Sequence, residues 1–92
     1  SLLIHMWDRS KMFLKKMAKI LPELEIAIGK KDYKQIALLS HSVKGSSANF
    51  RIEYLQTLAA TMEKNAKDKN EAYDYKEGFE MISEYINAIK IS

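Results

Sequence analysis

Four stretches of the 92-residue chain repeat apolar side chains at intervals of three and four, and only three glycines and one proline punctuate them. That spacing lines one face of a helix and gives no support to the strand period of two. In the first stretch the stripe reads Leu3, Met6, Trp7, Phe13, Leu14, Met17, Ile20, Leu21, Leu24 and Ile28. Pro22 falls inside it. Because proline lacks a backbone donor and its ring crowds the preceding turn, the first helical region is expected to be kinked or broken between Ile20 and Glu23. Gly29 is placed to end the segment in the left-handed conformation, with Lys30-Lys31 as a short connection.

Asp32, followed three residues later by Gln35, has the pattern of a capping box, so a second helix opens at about Tyr33. Periodicity turns Tyr33, Ile36, Ala37, Ser40, Val43, Ser47 and finally Phe50 inward, and leaves Lys34, Leu38, His41, Ser42, Gly45 and Asn49 outward. A third helix is expected from about Ile52 to Lys67, with Leu55, Leu58, Ala59, Met62 and Ala66 inward. The polar run Asn65 to Asn70 separates it from a fourth, from about Glu71 to Ile89, with Tyr75, Phe79, Ile82, Ile86 and Ile89 inward. The arrangement that buries four such stripes together is an all-α antiparallel four-helix bundle, and the length allows one domain, residues 1–92. Gly78 inside the last helix costs roughly 1 kcal/mol against alanine, which points to a close helix contact.

Composition removes several classes of function. With no cysteine there is no disulfide framework, thiolate nucleophile or cysteine-bearing zinc site, and the chain suits a reducing cytoplasm, where it is placed. The apolar start Leu2-Leu3-Ile4 is too short for a signal peptide, and no window is long enough to span a bilayer, so no membrane contact is expected. The net charge of +3 and pI near 9.1 raise nucleic acid as a partner. The fifteen basic residues are spread over different segments and mixed with acids, however, as solvated faces are, and nucleic-acid binding is not expected. A first residue of Ser rather than Met fits a segment of a longer signalling protein as well as a foreign remnant.

The chemistry concentrates in Ser40-His41-Ser42-Val43-Lys44-Gly45-Ser46-Ser47-Ala48-Asn49-Phe50. A neutral imidazole offers a ring-nitrogen lone pair and can attack phosphorus. Lys44, three residues after His41, lies within reach of a group attached to that ring and brings a point charge for a dianion. Gly45, one turn on, has no Cβ to obstruct an approaching protein. Ser46 and Ser47 keep the helix narrow, and Ser46 has a hydroxyl to offer phosphate oxygens.

The string His41-Ser42-Val43-Lys44-Gly45-Ser46-Ser47 resembles the motif of histidine-containing phosphotransfer domains, with Lys at three and Gly at four residues after the histidine. The resemblance runs from about Met12 to Lys69 and takes in the Gly29 to Asp32 turn and the later Leu55, Leu58 and Met62-Glu63. It implies a phosphorelay intermediate without kinase activity of its own. His41 would accept a phosphoryl group from a receiver-domain aspartyl phosphate and pass it to another receiver, in a system fed by a sensor histidine kinase. Lys44 would steady the phosphoryl group and Gly45 would permit docking, with Leu38, Ser42, Ser46 and Asn49 on the docking face. Ser40 stands where the family often has Ala, Val43 where it often has Leu, and the glycine expected after the motif helix is replaced near Phe50-Arg51, leaving Asn49 to take the left-handed conformation.

No cofactor and no metal are expected; any magnesium would be held by the partner. His5, without a partner motif, reads as a surface or cap residue. Lys44-Gly45-Ser46 lacks the residue order and upstream glycine of a phosphate loop. Met17 and Met62 read as core filler, whereas Met12 lies off the main stripe and is a candidate, with Leu38, for an apolar docking patch. One exposed histidine suffices for the relay, so a monomer is expected. Two rival readings are a bundle that binds receivers without chemistry and a hydrolase using His41 as general base; the latter lacks a second catalytic group.

Overall fold

The computed structural model describes the backbone of residues 2–91 and the side chains of residues 9–90. His5 and the first part of the α1 stripe, Leu3, Met6 and Trp7, therefore have side chains outside the described residues. Four helices follow one another: α1 (Leu2–Gly29), α2 (Tyr33–Asn49), α3 (Glu53–Lys67) and α4 (Tyr75–Ile91). Among the described residues each helix packs on two neighbours in a closed ring, α1 on α2, α2 on α3, α3 on α4 and α4 on α1, with no diagonal contact. Short connections force consecutive helices antiparallel, and the expected all-α four-helix bundle results.

The core takes Phe13, Met17, Ile20, Leu24 and Ala27 from α1, Ile36 and Val43 from α2, Leu55, Ala59, Met62 and Ala66 from α3, and Tyr75, Ile82 and Ile86 from α4. Both Met17 and Met62 are fully buried, as core filler should be. Tyr33, Ala37, Phe50, Leu58, Phe79 and Ile89 are half-buried at its edges. Gly78 fits where a side chain would not. A Cβ there would stand 2.6 Å from the Tyr73 hydroxyl and 3.0 Å from Met62 Cε, so the close contact expected at this glycine is present.

Four local expectations are corrected. First, of the kink or break expected near Pro22 it is the break that is absent, since α1 runs through Pro22 to Gly29. Pro22 and Glu23 face solvent while buried Ile20 and Leu24 flank them, so burial on both sides holds the helix together across the missing donor. Second, neither Gly29 nor Asn49 takes the left-handed conformation. Lys31 (φ 54°), Arg51 (φ 57°) and Lys69 (φ 53°) do, and no glycine has positive φ. Each closes a helix by the same paired bonds. Lys31 N–H donates to Ile28 O and Asp32 N–H to Ala27 O; Arg51 N–H donates to Ala48 O and Ile52 N–H to Ser47 O; Lys69 N–H donates to Ala66 O and Asn70 N–H to Asn65 O.

Third, only half of the capping box forms. The Asp32 carboxylate accepts the Gln35 N–H at 3.2 Å, but the Asp32 N–H is already bound by Ala27 O in the turn before it. Fourth, α4 begins at Tyr75 rather than near Glu71. Asp74 starts it by accepting the Glu77 N–H at 3.0 Å. The residues before it form a turn ordered by Asn70, whose amide donates to Asn65 Oδ1, whose side-chain oxygen accepts the Ala72 N–H, and whose carbonyl accepts the Tyr75 hydroxyl.

Candidate functional site

His41 lies mid-way along α2 on its outward face, with its side chain 65% exposed. Across from it on α3 is Glu63, which is 4% exposed. Glu63 comes four residues after Ala59 and three before Ala66, so the period that buries those two carries a carboxylate inward with them. Its Oε2 receives His41 Nδ1 at 2.8 Å and Lys67 Nζ at 3.2 Å, and its Oε1 receives Lys44 Nζ at 2.6 Å. Three donors thus surround one buried acceptor.

Burial by itself pushes the Glu63 carboxyl above its ordinary value of 4.5, but the bonds from Lys44, Lys67 and His41 outweigh it and hold the group down at about 2. Glu63 is therefore an anion at any ordinary pH, and an anion can only accept. The shared proton must sit on Nδ1, which fixes the tautomer of the neutral imidazole and leaves the lone pair on Nε2. Among the described residues no protein group bonds Nε2. The arrangement offers one outward-facing nucleophilic nitrogen, backed by a fixed negative charge.

Lys44 comes close to where the sequence puts it, but its ammonium is engaged by Glu63. Gly45 is exposed, and a Cβ built there would meet nothing within 4 Å. Leu38 is 56% exposed, Ser42 half-buried and Asn49 exposed, the last beside Arg9 and Phe50 at the far end of α2. Ser40 is buried and satisfied, its hydroxyl donating to Ile36 O at 2.6 Å. Beside His41 opens a groove of about 520 Å³ between α2 and α3, lined by Tyr33, Lys34, Leu38, Lys67 and Lys69 among others.

Two surface expectations are corrected here. Ser46 is 5% exposed and its hydroxyl lies inside without a hydrogen-bond partner, so it is not on the docking face. α2 is covered by both α1 and α3, and its buried arc is wide enough to take in Ser46 as well as Ser47. Met12 is 68% exposed but does not share a patch with Leu38. The Phe13 ring packs on Phe50, their centroids 5.3 Å apart, whereas Leu38 lies twelve residues back along α2, roughly 18 Å away at 1.5 Å per residue.

Glu63 is the member of this cluster that the motif on α2 does not disclose. Its signal in the sequence is a charged residue standing on the inward stripe of α3, and only the fold shows which side chains meet it. Among the described residues no group of histidine, aspartate and glutamate is arranged to hold a metal ion, and no helix is long and apolar enough to cross a membrane. The family model for the Hpt domain matches residues 10–90. No curated protein and no solved structure matches the chain.

Proposed function

The chain belongs to the Hpt domain family, whose members carry phosphoryl groups in two-component phosphorelays, and on that premise we propose that Nε2 of His41 is the atom that carries it here. The donor is the aspartyl phosphate of a receiver domain and the onward acceptor is a second receiver, in a system fed by a sensor histidine kinase. The observation that carries this reading is the Glu63–His41 bond, which presents Nε2 outward with its lone pair free.

The step balances without a general base. The Nε2 lone pair forms the N–P bond, the P–O bond of the acyl phosphate breaks, and its electron pair leaves with the aspartate carboxylate. The proton stays on Nδ1, so the ring becomes cationic as it is phosphorylated, and the anion of Glu63 stabilises that charge. Reversal returns the phosphoryl group to a receiver by the same atoms. Gly45 gives the receiver room to approach, and Leu38, Ser42 and Asn49 lie along the exposed face it would cover. A helical glycine with open space around it has no packing reason to be there, which supports docking.

Phosphorus NMR after incubation with a phosphorylated receiver and magnesium tests the reading beside His41→Gln. An acid-labile phosphoramidate signal confined to the unsubstituted protein is the expected result. Its absence with several receivers would leave a docking bundle without chemistry.

A further inference from the structure

Glu63 accepts from one more cation than the motif supplies. Lys67 is not part of the motif string; it stands four residues after Glu63 at the end of α3, and its ammonium bonds the same Oε2 that holds His41 Nδ1. Two nitrogens on one carboxylate oxygen are close neighbours, so Lys67 stands beside the imidazole. Its side chain is 65% exposed and flexible, whereas Lys44 is only 33% exposed. Lys67 also lines the groove that His41 and Glu63 share.

We propose that Lys67 is a second phosphoryl-holding residue, held on Glu63 while His41 is empty and released from it to bond the phosphoryl oxygens once Nε2 carries them. The inference rests on the reading of His41 as acceptor. Its driving force is a redistribution of charge. In the empty site Glu63 has two ammonium partners, and Lys44 alone matches its charge. Phosphorylation brings a dianion to Nε2 and a positive charge to the ring, so Glu63 gains a stronger partner in His41 and has less need of Lys67. The exposed lysine is the one free to turn.

A merely structural role for Lys67 predicts the opposite sign of effect. If Lys67 serves only as a partner to Glu63, its removal leaves the charge of that carboxylate less compensated and favours the cationic, phosphorylated ring. If it holds the phosphoryl group, its removal disfavours that state.

The experiment equilibrates the phosphoryl group between a phosphorylated receiver and the domain, for the unsubstituted protein, Lys67→Gln and Lys67→Arg. A phosphorus NMR titration of the resulting phosphohistidine accompanies it. For Lys67→Gln we expect the equilibrium to move about fivefold toward the receiver, the size of one lost solvent-exposed ion pair. The phosphoryl group should also take up its proton at a higher pH, and Lys67→Arg should restore both. An unchanged equilibrium, or a shift toward the domain, overturns the role of Lys67 while leaving His41 as acceptor. No phosphohistidine in the unsubstituted protein overturns both.

Discussion

The two halves of the bundle are built on different principles. α1 and α4 meet through bulk: Phe13, Met17 and Leu24 on one side and Ile82 and Ile86 on the other are buried, and Phe79 packs at the edge. The buried faces of α2 and α3 mix bulk with small residues, Ser40 and Ser47 on α2 and Ala59 and Ala66 on α3, and beside them on α3 sits the buried carboxylate of Glu63. Small side chains let two helices approach closely enough for one residue to be gripped from both, His41 and Lys44 from α2 and Lys67 from α3. One half supplies burial; the other holds a charge in place and pays with two buried hydroxyls, on Ser46 and Ser47, that find no partner. The two mid-helix glycines repeat the contrast, since Gly78 in α4 is filled around by Tyr73 and Met62 while Gly45 in α2 faces open space.

Substitutions should therefore separate stability from phosphotransfer according to the half in which they fall. The largest effects come from the two centres. Leu24→Ala should cost about 3 kcal/mol in urea unfolding, yet leave phosphoryl acceptance per folded molecule unchanged. Glu63→Gln should cost less, roughly 1–2 kcal/mol, but slow acceptance at least tenfold, because the amide neither fixes the tautomer nor balances the cationic ring. Comparable losses of rate in both variants would erase the distinction.

The pH dependence of the same pair sharpens it. The carboxyl of Glu63 is depressed in the fold, from 4.5 to about 2, so its stabilisation is fully present above pH 4.5 and is lost as the pH falls toward 2. The stability gap between the unsubstituted protein and Glu63→Gln should close over that window. The gap for Leu24→Ala has no such reason to narrow. A Glu63→Gln gap that persists to pH 2 would mean the charge is not what Glu63 contributes.

A smaller effect, and one of opposite sign in the two halves, is expected at the glycines. Gly45→Ala should stabilise α2 by roughly 0.5–1 kcal/mol while slowing transfer from a receiver. Gly78→Ala should destabilise, because the new methyl meets Tyr73 and Met62, and should leave transfer alone. Thermal melts and a transfer time course read both.

The large pattern was legible in the sequence because three- and four-residue spacing reports directly on burial: the stripes of α2, α3 and α4 are inward as expected, and Asp32 starts α2. What was illegible depends on pairings between segments. Nothing local tells that Glu63 meets His41, that α2 is covered on the Ser46 side, or that Met12 and Leu38 lie at different heights of the bundle. The helix ends were misread for another reason. Glycine has the best intrinsic preference for positive φ, but the residue that must adopt it is set by where the next helix begins, one before Asp32 in the first turn and one before Ile52 in the second. The smallest predicted effect follows: Arg51→Gly should raise stability by up to about 1 kcal/mol without touching transfer. A destabilised Arg51→Gly would show that the arginine side chain contributes more than its backbone strain costs.

The bond from Nδ1 to Glu63 has a last consequence for how such a domain sits in a circuit. If the proton on that nitrogen stays in place throughout, a phosphoryl group enters and leaves with no exchange of protons with solvent. Transfer rates should then be nearly the same in heavy water as in light water. On the proposed transfer through Nε2, the domain would add no acid–base drive of its own to either direction, and its partners' phosphorylation levels would decide which way the traffic runs.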